Sequence, residues 1–154
     1  MGQKMTGLRI SYAVRGERVS RGQRKDDHII IGTPGTVCDW AIKHKCFDPK
    51  LLTVFVLDEA DVMIATQGHQ DQSVRLQRML NKQTCQIFVI LSLATTYDDR
   101  TRKTAAWLAE MMTKDGHVVG LLTGELTIEQ RAAIINRFKE GKEKVLITTN
   151  DSKE

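Results

Sequence analysis

The chain has 154 residues, 41% hydrophobic and 27% charged, and Lys and Arg outnumber Asp and Glu by 23 to 19 for a formal net charge of +4. That length suits one ordinary domain, and the composition excludes a collagen-like, disulfide-scaffold or long disordered chain. Cys38, Cys46 and Cys85 lack C-x-x-C spacing and no apolar window reaches bilayer length, so a soluble protein with reduced thiols, cytosolic or nuclear, is expected.

Taken in chain order, apolar runs rich in Val, Ile and Leu at residues 8–14, 28–31, 53–57, 86–91, 117–122 and 144–148 predict strands. Their lack of clean alternation predicts burial on both faces. Helical patterns fall between them at residues 36–44, 70–81, 102–114 and 128–140. This order predicts an α/β protein with a doubly wound parallel sheet. Thr127 is the expected N-cap of the last helix and Gly141 its C′ residue, with Ala132, Ile135 and Phe138 on one buried face. Trp40 and Trp107 are expected core anchors.

The segment after the first strand carries Arg15, Arg18, Arg21, Arg24 and Lys25, either a solvated loop or a surface for a polyanion. The second strand runs into Gly32-Thr33-Pro34-Gly35, whose amides and following helix N-terminus suit a phosphate. No G-x-x-x-x-G-K-[ST] loop occurs in the 154 residues, so a nucleic-acid backbone fits this turn better than a nucleoside triphosphate. The third strand delivers Asp58, Glu59 and Asp61 to its carboxyl end, where open α/β sheets bind ligands. Such carboxylates either cap the next helix or serve a metal-bound nucleotide.

Asp58-Glu59-Ala60-Asp61, preceded by Gly32-Thr33-Pro34-Gly35 and followed by Ser92-Leu93-Ala94-Thr95, resembles the DEAD-box ATP-dependent RNA helicases in motif order. Leu121-Leu122-Thr123-Gly124-Glu125, Gln130-Arg131 and Val145-Leu146-Ile147-Thr148-Thr149-Asn150 are similar to that family's second RecA-like domain. The stretch 60–75 is similar to the family's nuclear mRNA-export subgroup and its testis-expressed relative. The resemblance implies ATP and Mg²⁺ as cofactors, with Asp58 holding Mg²⁺ through water, Glu59 placing the hydrolytic water and Asp61 linked to the same nucleotide site. It implies Thr33, Pro34, Gly35, Gly124, Gln130, Arg131 and Thr149 as RNA contacts, and Ser92, Ala94 and Thr95 as the interdomain coupling motif. Single-stranded RNA is the implied partner, gripped without sequence preference, with no membrane or sequence-specific DNA role. A cytoplasmic-filament nucleoporin is implied at Arg75, with residence in the nucleus and cytoplasm and at the nuclear pore.

The family's phosphate-cradling loop and its final arginine motif have no counterpart in these 154 residues, and second-domain sequence follows first-domain sequence directly near residue 101. Residues 1–97 are expected to be the C-terminal part of a first RecA-like domain and residues 101–154 the N-terminal part of a second. One strand, residues 86–91, is expected to serve both halves in a hybrid sheet of about six strands. The functional expectation is an RNA helicase of the export type whose 154 residues are catalytically incomplete alone. The alternatives are a non-catalytic RNA- or nucleoporin-binding fragment that competes with the full helicase, and a splice product without function.

Overall fold

In the computed structural model, residues 5–65, 69–92 and 99–149 are described, and they divide into two compact units. All six expected strands form and every pairing is parallel. They lie in two sheets, one of two strands and one of four, where a single hybrid sheet was expected. Among the described residues no helix is long and apolar enough to cross a membrane.

The first unit, Met1–Leu51 with Gln67–Leu80, holds strands β1 (Ile10–Ala13) and β2 (Ile29–Gly32) and helices α1 (Pro34–Ile42) and α3 (His69–Met79). Helix α1 packs against both strands, and α3 packs against α1 and a single 3-10 turn at Pro49–Leu51. Ala13, Trp40 and Cys46 form the buried centre, bordered by Val19, Ile30, Val37 and Phe47. Ser73 and Leu76 on α3 and Leu80 just past its end are buried and recur at helical spacing, which sets the face that meets α1. The other face of the ladder is uncovered, leaving Tyr12, Val14, Ile29 and Ile31 exposed. Burial on both faces therefore fails for this pair, because helices cover one side only.

The second unit, Leu52–Thr66 with Asn81–Glu154, contains β3 (Val54–Leu57), helix α2 (Ala60–Ala65), β4 (Gln86–Leu91), α4 (Asp99–Lys114), β5 (Val119–Leu122), α5 (Ile128–Lys139) and β6 (Val145–Thr149). Its strand order is β3-β4-β6-β5. Strand β4 pairs with β3 on one side and β6 on the other, so it does serve both halves. The two central strands carry the core, with Ile87, Val89 and Leu91 of β4 and Val145, Leu146 and Ile147 of β6 buried. Edge strand β3 leaves Val54 and Val56 exposed, a second departure from burial on both faces.

Thr127 caps α5 through a reciprocal capping box with Gln130, and Gly141 takes φ +73° just past the helix end. None of the residues of α5 is buried, so the expected buried face of Ala132, Ile135 and Phe138 is only a half-covered stripe and Ala132 is exposed. Phe138 meets Phe88 of β4 edge to face at 6.1 Å. Trp40 is buried as expected, whereas Trp107 is 45% exposed on the outer side of α4, whose inner side presents Ala105 and Met112.

Candidate nucleic-acid interface

In the first unit, β2 must end on glycine, since a methyl group at Gly32 would overlap the Ala13 carbonyl oxygen of the paired strand. Thr33 follows in extended geometry at φ −78° and ψ 150°, and Pro34 opens α1. The Thr33 carbonyl accepts the Val37 N–H at 3.0 Å, but its hydroxyl lies 3.2 Å from the Thr36 hydroxyl and caps no backbone amide. The N-terminus of α1 thus keeps its first amides without a side-chain cap and has no acidic residue in its first turn. Both features favour an anion. Gly35 is closely approached by Gln72 of α3, whose Oε1 would sit 3.2 Å from a Cβ at that position.

The same unit carries the basic segment. Arg15, Arg18, Arg21 and Arg24 are exposed, while Lys25 is half-buried with its ammonium 5.3 Å from the centre of the Trp40 ring. Two backbone bonds anchor the segment, from the Gly22 N–H to the His44 carbonyl at 2.7 Å and from the Lys25 N–H to the Cys46 carbonyl at 2.8 Å. The arginines project from a fixed loop rather than a free coil. Arg75 is exposed on α3.

In the second unit, Asp58 and Glu59 leave the carboxyl end of β3 as exposed residues. Glu59 adopts φ +50°, which costs a non-glycine residue about 1–2 kcal/mol. Its N–H donates to Asp58 Oδ1 at 3.0 Å and its carbonyl accepts the Val62 and Met63 N–H groups at 3.0 and 3.2 Å. The turn therefore drives straight from strand into α2 and presents the two carboxylates at its apex. Asp61, in the first turn of α2, accepts the Ser92 N–H through Oδ1 at 2.9 Å. That bond ties the turn after β3 to the residue that follows β4. Ala94 and Thr95, the rest of the expected coupling motif, lie outside the described residues.

The remaining expected RNA contacts belong to the second unit. Thr149 is buried at the end of β6, in register with Leu91 of β4, so Thr149 and Ser92 sit at the carboxyl ends of neighbouring strands. Leu122 pairs with Thr148, which brings Thr123 and Gly124 to the same edge. Arg131 sends Nη2 to the Thr123 carbonyl at 3.3 Å. Gln130 Oε1 accepts the Thr127 N–H at 2.9 Å within the capping box, leaving its Nε2 amide as a donor. Glu129 in the same first turn has its carboxyl held below the usual range by backbone and Thr127 hydrogen bonds. Asp58, Asp61, Ser92, Gly124 and Thr149 are thus gathered along one end of one sheet.

Sequence reasoning missed three elements here: the Asp61 to Ser92 bond, the ion pair between Arg102 and Glu125, and the left-handed Glu59. The spacing from Asp58 to Asp61 was the one available signal, because it puts a third carboxylate one helical turn beyond the strand end. Among the described residues no group of three or more His, Cys, Asp and Glu is placed to hold a metal. Asp58 suits a cation held largely through water. Around it the described residues offer no lysine-bearing glycine loop, so a triphosphate is not fitted by this set.

The sequence matches the DEAD/DEAH box helicase family over residues 1–105 and the helicase conserved C-terminal domain over residues 71–152. It is 43% identical over 208 residues to the ATP-dependent RNA helicase DDX19A of Homo sapiens, covering 97% of this chain and 43% of that protein. The DEAD-box helicase Dbp80 of Drosophila melanogaster is 38% identical over 207 residues, with 97% of this chain and 45% of the relative covered. Matches of that length exceed the 154 residues of the chain, so the relatives carry internal residues that this chain does not. Among solved structures, S. cerevisiae Dbp5 bound to RNA and ADP BeF3 superposes with a TM-score of 0.50 at 26% identity, covering 94% of this chain and 51% of that one. The chain spans less than half the length of these curated relatives.

Proposed function

Because the chain belongs to the DEAD/DEAH box helicase family, we propose that these residues are an RNA-gripping part of an mRNA-export type of RNA helicase. The observation that carries this is the uncapped N-terminus of α1 after Gly32-Thr33-Pro34-Gly35, in a unit whose loop arginines Arg15, Arg18, Arg21 and Arg24 are exposed. Residues 1–97 and 101–154 represent parts of a first and a second RecA-like domain. Thr33, Pro34 and Gly35 take RNA phosphates from the first unit, and Gly124, Gln130, Arg131 and Thr149 take RNA from the second. The Gln130 Nε2 amide and the remaining guanidinium N–H groups of Arg131 are suitable donors to phosphate or sugar oxygens.

RNA-stimulated ATP hydrolysis is the activity of the whole protein. There Asp58 would hold Mg²⁺ through water, Glu59 would orient the attacking water, and Asp61, bonded to the Ser92 N–H, would link that site to the Ser92, Ala94 and Thr95 motif. No hydrolytic step is assigned to these residues alone, since they include no cradle for the phosphates. Arg75 is the contact for a nucleoporin of the cytoplasmic pore filaments, with the protein in nucleus and cytoplasm and at the pore.

Fluorescence anisotropy with labelled single-stranded RNA tests the reading. Three or four phosphate contacts predict a log–log salt slope of about −2 to −3, independent of base sequence. Absence of binding at low salt overturns the RNA assignment. RNA-stimulated ATP turnover that disappears in Glu59→Gln overturns the claim that these residues do not hydrolyse ATP by themselves.

A further inference from the structure

Ser20 stands in the anchored loop between β1 and β2, exposed, with Arg18 two residues before it and Arg21 directly after. Arg15 and Arg24 extend the basic frame on either side. The Ser20 N–H donates to Gln23 Oε1 at 3.1 Å and its carbonyl accepts the Gln23 N–H at 3.1 Å, which turns the backbone. The hydroxyl itself makes no hydrogen bond among the described residues. An accessible hydroxyl framed by guanidinium groups is the substrate chemistry of arginine-directed protein kinases, whose acidic subsites read those groups.

The cavity beside it supplies the second observation. About 530 Å³ in volume, it is lined by Ser20 together with Arg15, Arg18, Thr36, Asp39 and His44, among others. Asp39 is already paired with Lys43 at 2.8 Å, whereas Arg15 and Arg18 make no ion pair among the described residues. His44 Nδ1 is buried there without a hydrogen-bond partner among the described residues. Thr36 links this recess to the proposed RNA turn through its 3.2 Å contact with the Thr33 hydroxyl.

We propose that Ser20 is a phosphorylation site for an arginine-directed Ser/Thr protein kinase, and that Arg15 and Arg18 hold the phosphate in this cavity. In the transfer, Ser20 Oγ bonds to the γ-phosphorus of ATP, the bond from that phosphorus to the β,γ-bridging oxygen breaks, and ADP leaves. The hydroxyl proton passes to the kinase carboxylate base. The new phosphate carries about −1.5 to −2 charges and meets two guanidinium groups, giving charge-assisted bonds that fix the loop. It removes positive potential beside α1, so RNA binding weakens. That consequence rests on the RNA reading above; the modification does not.

The full chain is incubated with a purified arginine-directed kinase and Mg-ATP, then analysed by intact mass and fragment mapping, with Ser20→Ala in parallel. One phosphate at Ser20, absent from the variant, is expected; no incorporation, or incorporation elsewhere, overturns the proposal. RNA anisotropy on the modified chain should show an affinity about tenfold lower at low salt, with the gap closing as salt rises. Unchanged RNA affinity in a chain phosphorylated at Ser20 overturns the regulatory half. If the unmodified chain does not bind RNA, the functional reading fails while the mass result still decides the site.

Discussion

Gly120 of β5 offers the most direct test of how the second unit is packed. A Cβ there would lie 2.9 Å from Ile134 Cγ2 and 3.1 Å from Glu143 Cδ, and it would overlap Glu143 Oε2. Glu143 is buried, with Oε1 accepting Arg137 Nε at 2.8 Å and Oε2 lacking a partner among the described residues. In Gly120→Ala the carboxylate must therefore swing away and break its pair with Arg137. Overpacking costs about 1–3 kcal/mol in general, and the flexible carboxylate places this case in the lower part of that range. The half-exposed arginine adds less than about 1 kcal/mol, because solvent screens it. The sum is about 2 kcal/mol, or a fall in Tm of roughly 4–8 °C for a chain of this size. Urea unfolding of Gly120→Ala, Glu143→Ala and the double variant gives the coupling directly. The double variant should be no less stable than Gly120→Ala, since truncating Glu143 removes the obstruction. Strictly additive losses, or a Gly120→Ala chain as stable as the parent, would refute the packing argument.

Asp61→Ala leaves the Ser92 N–H without its acceptor and should cost about 1–2 kcal/mol, with faster amide exchange at Ser92 as the specific readout. Thr127→Ala removes half of the α5 capping box and should lower stability by about 1 kcal/mol in urea melts. His117 is held below its ordinary value of 6.5 by burial first and by Lys82 second, so the unfolded chain binds more protons than the folded one between the two values. Its contribution to stability is complete above pH 6.5 and is lost as pH falls through the lowered value, which urea midpoints from neutral pH to about pH 5 will track. Trp40→Ala should cost about 3–5 kcal/mol and melt the first unit, seen as loss of amide-exchange protection in β1 and β2.

Strand positions were legible because short runs of Val, Ile and Leu mark buried parallel strands wherever they fall. Which strands pair was not, since the division into two sheets depends on contacts far apart in sequence. Periodicity also marks only the apolar face of a helix and says nothing about whether anything covers it. Hence Trp107 and Ala132 sit on helices as expected and yet face outward. At the candidate interface the chemistry of Thr33, Asp58 and Arg131 follows from residue type. The left-handed turn at Glu59 had no such signal, because glutamate gives no local cue for positive φ. At Gln130 the expected N-cap Thr127 turns out to belong to a reciprocal capping box that occupies the glutamine's carbonyl oxygen, a pairing that the S/T-x-x-E/Q spacing encodes.

Strand β4 is bonded on both sides, to β3 from the early part of the chain and to β6 from the late part. A helicase works as a bistable machine, in which two bodies exchange between open and closed arrangements and a ligand shifts the populations. In the second unit, the turn bearing Asp58 and the strand ending at Thr149 are instead joined through the centre of one ladder. Parting them means breaking that ladder, an event on the scale of unfolding the unit rather than of moving a hinge. This arrangement holds the turn bearing Asp58 and the strand ending at Thr149 within one hydrogen-bonded ladder.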